Sequence, residues 1–211
     1  MDTITIPNLY EILEGFNLES AYSYVLRNNL GNNLPYHNFG HIENVTLFAY
    51  MGCIHESISG EITRNILLAA LFHDFNHSGG KLKDIENITL AKAGLNDYLI
   101  ESNDTETKLE FVNYLIDITE FPYTIETSKL TIHQKILRDA DIIQSFFLNN
   151  YMQDVVLGLA KEMNKTPEET VDGQLNFISN LSFGTEYANK LYNERKLDIL
   201  SNLILIQRFL K

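Results

Sequence analysis

Apolar residues recur at three- and four-residue steps along most of the chain. Between residues 39 and 54, Ile42, Val45 and Ala49 follow this spacing, which predicts a helix with one buried stripe. The segment 62–75 is apolar on most sides and is predicted to form a central helix. Further helices are predicted over residues 85–100, 105–119, 130–149 and 194–210. No alternation of polar and apolar residues persists long enough to predict a sheet.

Helix-start and loop signals complete this picture. Thr166-Pro167-Glu168-Glu169 combines a capping threonine, a proline in the first turn and a glutamate three residues after the threonine. It predicts a helix that runs to about Leu181. Loops are predicted at residues 28–35, 78–83, 102–105 and 121–127. Without repeats or linkers, the chain is predicted to be one all-α domain over residues 1–211, a compact helical bundle with N-terminal helices (1–34), a core that carries the motifs (35–193) and a C-terminal helix (194–211).

Composition and charge exclude several classes of protein. The 211 residues include one cysteine, Cys53, so a disulfide framework and a cysteine-based zinc or iron–sulfur site are excluded. The net charge of −12 disfavours nucleic-acid duplexes and anionic membrane surfaces as partners. The longest apolar run, residues 66–72, is far shorter than the roughly 20 residues of a membrane span. We expect no signal peptide and a cytoplasmic location.

Four of the six histidines fall in two short segments. His37 and His41 are four positions apart, as are His73 and His77, and on a helix this spacing places both side chains of a pair on one face. Asp74 follows His73 at the end of a strongly apolar stretch, where an unpaired buried carboxylate would cost several kcal/mol, roughly 2–7. A divalent cation would supply the missing positive charge. The two segments therefore predict a metal site.

A second acidic pair precedes another apolar stretch. Asp139 and Asp141 are two positions apart, so on a helix their side chains point in different directions and only one of them should be a ligand. Two histidines and two carboxylates from three helices suit zinc, iron or manganese and leave positions open for water, as a hydrolytic site needs.

These motifs resemble the HD superfamily of metal-dependent phosphohydrolases, which is named after a His-Asp doublet. Within the superfamily, they are most similar to the catalytic domain of cyclic-nucleotide phosphodiesterases. The segments that carry the likeness are Tyr36-His37-Asn38-Phe39-Gly40-His41, residues 69–77 (AALFHDFNH), Glu86-Asn87 with Leu90-Ala91, and Ala140-Asp141-Ile142. They occur in the family's order over residues 36–192. The resemblance implies an all-helical fold of the phosphodiesterase type.

The resemblance also implies roles for single residues. A tightly bound zinc, iron or manganese ion would be held by His41, His73, Asp74 and Asp141. Asp74 would bridge to a second ion, magnesium or manganese, whose other ligands are mostly water. His37 and His77 would be catalytic, the first as a general acid and the second, together with Glu86, by orienting these waters. Asp139 is expected either to support the metal site from behind or to pair with a neighbouring basic residue.

A fifth segment suggests the substrate. Gln174-Leu175-Asn176-Phe177-Ile178 resembles the family's purine clamp, in which an amide pairs with the base and an aromatic ring stacks on it. Tyr36 and Asn38 are also expected to contact the substrate, as is Gln144, which stands where the family has an asparagine that faces the phosphate.

The implied function is hydrolysis of 3′,5′-cyclic nucleotides, or of cyclic oligonucleotide signals, to 5′-phosphate products by a metal-activated water. An HD-type hydrolase of non-cyclic nucleotides, such as a 5′-nucleotidase or pyrophosphohydrolase, is the alternative. A nucleotide-binding module without activity and a purely structural helical protein are further possibilities. The expected partner is a small nucleotide, and the oligomeric state is open.

Overall fold

The helical pattern of the sequence is realised in the computed structural model, which describes residues 8–148 and 150–210. The α-helices are α1 (Leu9–Gly15), α2 (Glu19–Asn28), α3 (Phe39–His55), α4 (Gly60–Phe72), α5 (Asp84–Ser102), α6 (Leu109–Asp117), α7 (Ile132–Ile143), α8 (Gly158–Glu162), α9 (Pro167–Asn180) and α10 (Glu186–Leu210). Short 3₁₀ segments at Thr127–Lys129 and Gln144–Phe147 and a π-helical segment at Met152–Leu157 lie between them. The described residues contain no strand, so the all-α prediction is confirmed.

Most predicted helices occur close to their expected bounds, and α9 begins as its sequence predicts. The Thr166 side chain accepts a hydrogen bond from the backbone N–H of Glu169, and the Glu169 carboxylate accepts one from the backbone N–H of Thr166. These two bonds form the predicted capping box.

Four predicted helices have different bounds. Helix α4 ends at Phe72 rather than residue 75, and side-chain hydrogen bonds explain the differences in two of the other three. Helix α6 begins at Leu109 rather than residue 105, because the Asp104 carboxylate holds the backbone N–H groups of residues 106 and 107 in a turn. Helix α10 begins at Glu186 rather than residue 194, since the Asp139 carboxylate of α7 accepts hydrogen bonds from the backbone N–H groups of residues 184 and 185. Helix α7 ends at Ile143 and continues as a 3₁₀ turn; residue 149 lies outside the described residues.

The first core is built around α4, which packs between α3, α6 and neighbouring helices. Every residue of α4 from position 63 to position 72 is buried, as expected for a central helix. Helix α3 packs against both α4 and α7, and Cys53 lies buried on its inner face. Helix α3 therefore joins the element that ends in the His-Asp doublet to the element that carries Asp141.

A second core lies between α9 and α10 and the segment after α7. Its buried members include Phe146, Val171, Ile178 and Tyr192. Phe48 of α3 packs against both cores, which makes them one continuous structure. The candidate site lies where these two cores meet. None of the helices in the described part of the chain is long and apolar enough to cross a membrane.

Candidate metal centre and pocket

The His-Asp doublet stands in a turn rather than on a helix. Helix α4 ends at Phe72, and residues 73–77 form a turn in which Asn76 has a left-handed backbone with φ of 60°. This conformation is tolerated because Asn76 is tied to the loop after α2: its N–H donates to Asn29 Oδ1 over 2.7 Å, and its own Oδ1 accepts from the Leu30 N–H. The prediction that His73 and His77 share a helix face is therefore wrong, although the turn keeps both near the site.

The same turn is fixed from its other side by Phe75. This ring is buried and packs directly onto Gly94 of α5, where a Cβ atom would overlap the ring. Only glycine leaves room for this close approach. The turn is thus held by the protein itself, between the loop after α2 and helix α5.

The first histidine motif crosses the start of α3. His37 precedes the helix, so the prediction that it shares a helix face with His41 is also wrong. Asn38 caps the helix by accepting a hydrogen bond from the His41 N–H over 3.1 Å. The Asn38 amide donates to the Leu34 carbonyl at 3.1 Å, so both ends of this side chain are engaged in the backbone. Asn38 therefore positions His41, and the structure does not place it in the pocket where substrate contact was expected.

The predicted metal ligands lie together: His41, His73 and Asp141 place donor atoms within 4.8 Å of one another, and Asp74 lies beside both histidines. His41 Nε2 lies 3.1 Å from Asp74 Oδ2 and 3.2 Å from Asp141 Oδ1. His73 Nε2 lies 3.3 Å from Asp74 Oδ2, 3.6 Å from Asp141 Oδ1 and 3.3 Å from His41 Nε2. Ligands bound to one metal at about 2.0–2.2 Å stand about 3.0–3.5 Å apart when adjacent. The spacing of these donor atoms therefore fits a single divalent ion.

The protonation of His73 also suits a metal ligand. Its Nδ1 lies 2.8 Å from the backbone carbonyl of Ala70, which can only accept, so Nδ1 carries the proton. In the neutral ring Nε2 is then free, and it is Nε2 that points at the cluster. A carbonyl partner on the far nitrogen is the usual way in which a metal-binding histidine is oriented.

The charges of the cluster balance in the absence of a metal. Burial favours the neutral form of every member, but the attraction between imidazoles and carboxylates outweighs it. The pKa of His73 is consequently well above its ordinary value and the pKa of Asp74 well below. The pKa of His41 is raised and that of Asp141 lowered for the same reasons. A cation that binds here would replace the protons that the two histidines hold on Nε2.

A second group of possible ligands stands beside the first. His37, His77 and Glu162 place one donor atom each within 4.8 Å of one another. Glu162 is already committed, however: Oε2 accepts from His37 Nδ1 over 2.6 Å, and Oε1 accepts from the backbone N–H groups of Tyr36 and His37. This pattern suits the orientation of His37 better than the binding of an ion.

Glu162 is a site residue that the sequence analysis missed. Its carboxylate is 1% exposed although it stands near the exposed end of α8. Burial opposes its ionisation, but the hydrogen bond and charge of His37 outweigh burial and lower the pKa of Glu162. Gly80 holds α8 close to the loop after the His-Asp turn, because a Cβ there would stand 2.8 Å from the Glu162 carbonyl oxygen. Nothing in the sequence around Glu162 signals this position.

The residue beside His77 is Asp84, not Glu86. Glu86 is exposed, and its carboxylate accepts from the Lys83 N–H over 3.0 Å, which caps α5. Asp84 Oδ1 lies 3.8 Å from His77 Nε2, and Asp84 Oδ2 accepts from the Phe121 N–H. The expectation for Glu86 is corrected: the acidic side chain that faces His77 stands two positions earlier.

Asp139 and Asp141 point in different directions, as predicted. Asp139 is buried, and its carboxylate accepts hydrogen bonds from the Gly184 N–H, the Thr185 N–H and the Thr185 hydroxyl at 2.7–3.0 Å. Burial nevertheless raises its pKa to about 6. The neighbouring basic residue, Arg138, does not pair with it but donates to the carbonyls of Ile118 and Ile125. Asp139 therefore anchors the start of α10 and does not support the metal ligands.

A pocket of about 580 Å³ opens from the cluster. Asp141 is the one predicted metal ligand that lines it. The other lining residues include Tyr36, His37, His77, Asp84, Phe121, Tyr123, and Gln174 and Phe177 of α9. The Tyr151 hydroxyl donates to Gln174 Oε1 over 2.7 Å, which holds the amide in one orientation. Phe121 stands edge-on to Phe177 at a ring distance of 6.0 Å. The histidine motifs and the predicted purine clamp thus share one cavity.

Gln144 was expected to face the phosphate, but it does not line this pocket. Its side chain is 1% exposed and lies behind His41, with Nε2 3.1 Å from His41 Nδ1.

A comparison with models of known protein families finds no match for this chain, and a comparison with curated proteins finds no relative. The helical fold and the buried His/Asp groups that could bind metal are compatible with an HD-type fold.

Proposed function

We propose that the protein is a metal-dependent phosphodiesterase that hydrolyses cyclic nucleotides, either 3′,5′-cyclic mononucleotides or cyclic oligonucleotide signals, to 5′-phosphate products. One observation carries the proposal: a single cavity is lined both by Asp141 of the metal-donor cluster and by an amide with an aromatic ring, Gln174 and Phe177. These two features match the two parts of a nucleotide, its phosphate and its base.

The donor set supports hydrolysis. Two imidazole nitrogens and two carboxylate oxygens suit zinc, iron or manganese, which is the composition expected for the tight site. A divalent ion held there supplies Lewis acidity toward phosphoryl oxygens and lowers the pKa of a coordinated water. The second ion, magnesium or manganese with Asp74 as the bridge, stays a prediction.

His37 is the proposed general acid. Because Nδ1 donates to Glu162, the opposite nitrogen, Nε2, is left for the leaving oxygen. The buried Glu162 carboxylate stabilises the protonated ring until the proton passes from Nε2 to the leaving oxygen. It also keeps the proton of the neutral ring on Nδ1 afterwards. Glu162 thus acts through His37, as a positioning residue.

His77, whose ring centroid lies 3.9 Å from that of His37, and Asp84 are proposed to orient water. His77 Nδ1 accepts from the Gly79 N–H over 3.2 Å, so the proton of the neutral ring is on Nε2. This Nε2–H points toward Asp84 Oδ1, at a separation of 3.8 Å that exceeds a direct hydrogen bond. The pair therefore offers one donor and one acceptor to a water between them.

Gln174 and Phe177 are proposed to bind the base. With the Tyr151 hydroxyl on Oε1, the Gln174 amide still offers its N–H groups and one further acceptor position to a base edge. Phe177 is one turn along the same helix and supplies a ring for stacking, with Phe121 beside it. A purine is the expected base.

Product analysis by chromatography tests the proposal. The purified protein with manganese is incubated with cyclic AMP, cyclic GMP, a cyclic dinucleotide, and the matching 5′-mono- and triphosphates. We expect a cyclic compound to give a 5′-phosphate product, and we expect a chelator or Asp74→Ala to abolish this turnover. Turnover of the non-cyclic compounds alone would move the protein to the alternative class of HD-type nucleotide hydrolases. No turnover of any compound by metal-loaded protein would contradict both.

A further inference from the structure

The amide of Gln144 is buried against His41 with one end unpaired. Nε2 lies 3.1 Å from His41 Nδ1, 3.4 Å from the Tyr36 hydroxyl and 3.4 Å from the Asp141 carbonyl oxygen. Oε1 is buried and has no hydrogen-bond partner among the described residues. A buried acceptor without a partner is costly, so the orientation of this amide needs a physical reason.

The orientation depends on which nitrogen of His41 carries the proton. With Nε2 of the amide facing His41, the ring must accept on Nδ1, and the neutral ring then carries its proton on Nε2. That proton points at the Asp74 and Asp141 carboxylates, which lie 3.1 and 3.2 Å away. With this amide assignment Nε2 of the neutral ring could not bind a metal, because a coordinating nitrogen carries no proton.

A metal at the cluster requires the other tautomer. His41 reaches the cluster through Nε2, which must then give up its proton, so the neutral ring carries it on Nδ1. An Nδ1–H group needs an acceptor, and the Gln144 amide is the group that faces it. A half-turn of the amide exchanges its nitrogen and oxygen with almost no change in shape. Oε1 then accepts from His41 Nδ1–H and lies beside the Tyr36 hydroxyl, which can donate to it.

We infer that Gln144 is the positioning residue that fixes the metal-binding tautomer of His41, with its amide oxygen toward Nδ1 when the metal is bound. For His73 the Ala70 carbonyl does the same task, and a carbonyl oxygen can only accept a hydrogen bond. The two ligands are therefore held by different means.

Metal affinity and the tautomer of His41 test this inference. Competition with a chelator measures the affinity for zinc or manganese in the wild type, Gln144→Met and Gln144→Glu. Methionine has a similar length but no strong acceptor, and we expect about a 10–100-fold loss of affinity. The glutamate carboxylate can accept from Nδ1–H, and we expect no loss. Gln134→Met is the matched control, since Gln134 is another buried glutamine, which caps the start of α7 and touches no ligand.

Nitrogen NMR of the zinc-loaded wild type, with labelled histidine, gives a second measurement that does not depend on a variant. We expect the His41 proton on Nδ1. A proton on Nε2, a Gln144→Met protein that binds zinc as tightly as the wild type, or a Gln144→Glu protein that binds as weakly as Gln144→Met would each overturn the inference. The inference rests on the metal centre of the proposed function, but the two fail separately. A wild type that binds metal without hydrolysing nucleotides leaves the role of Gln144 intact.

Discussion

His37 Nδ1 lies 2.6 Å from Glu162 Oε2, and this contact joins residues 125 positions apart in the sequence. Glu162 also accepts from two backbone N–H groups of the segment that precedes α3. One buried carboxylate thus fixes both the backbone and the ring of the proposed general acid.

Replacement of Glu162 should separate proton transfer from metal binding. In Glu162→Gln the backbone bonds can persist, but a neutral amide no longer stabilises the protonated His37 ring. We expect kcat to fall by about 10²-fold or more, because general acid catalysis is typically worth 10²–10⁴-fold, while the metal content stays the same. Glu168→Gln removes the same charge at an exposed position of α9 and should leave kcat unchanged. Equal kcat values in the two variants would contradict the role of Glu162.

Asp84 and Glu86 form a matched pair for mutation. Asp84 faces His77 across the pocket, whereas Glu86 caps α5 at its exposed surface. We therefore expect Asp84→Asn to lower kcat, and Glu86→Gln to lower only the free energy of unfolding, by at most about 1 kcal/mol. Steady-state kinetics and urea unfolding of both proteins check this. A larger loss of kcat in Glu86→Gln than in Asp84→Asn would restore the assignment made from sequence.

Asp139 should contribute to stability and not to metal binding. Asp139→Ala leaves the N–H groups of Gly184 and Thr185 without their buried acceptor. We expect the free energy of unfolding to fall by about 1–3 kcal/mol, with the metal stoichiometry of the folded protein unchanged. Loss of the metal from a folded Asp139→Ala protein would show that this carboxylate acts on the ligands after all.

The stability of the metal-free protein should depend on pH through the histidines of the cluster. The pKa of His73 is raised in the folded state, since the attraction of Asp74 and Asp141 exceeds the effect of burial. Its contribution is therefore fully present below the unfolded pKa of about 6.5 and is lost as the pH rises through the folded value. We expect the Tm of chelator-treated protein to fall over this range, and added manganese or zinc to restore it. A Tm that is independent of both pH and metal would contradict the electrostatic account.

The purine clamp predicts a defect confined to KM. Gln174→Ala should raise KM for purine substrates and leave metal content unchanged. Tyr151→Phe, which removes only the hydroxyl that holds the Gln174 amide, should raise KM by a smaller factor. Gln153→Ala, at an exposed position, serves as the control. If KM is unchanged in Gln174→Ala, the base does not bind at Gln174.

Much of the metal cluster could be predicted from sequence because its members stand in short motifs. His41, His73, Asp74 and Asp141 were assigned together, and the structure brings their donor atoms within 3.1–3.6 Å of one another in the measured pairs. The reason given for the histidine spacing was nevertheless incorrect, since His73 and His77 stand in a turn. The order of the motifs thus predicted correctly which side chains lie together, whereas the helix predicted for residues 73–77 is absent.

The residues that orient the site could not be predicted in the same way. Glu162 and the Asp139 anchor depend on contacts between distant segments, and no local pattern distinguishes them from ordinary acidic residues. Glu86 was assigned by its motif, and Asp84 was not considered; two positions along a helix change which side chain faces the pocket. Polar contacts of this kind are decided by tertiary packing.

Metal analysis tests the central claim most directly. Protein loaded with zinc or manganese and dialysed is assayed for bound metal in the wild type, Asp74→Ala and the Glu168→Gln control, after circular dichroism has established that each is folded. We predict at least one tightly bound ion per chain in the wild type and in the control, and none in Asp74→Ala. A folded wild type that retains no metal, or an Asp74→Ala protein that retains as much as the wild type, would contradict the metal centre on which the proposed function depends.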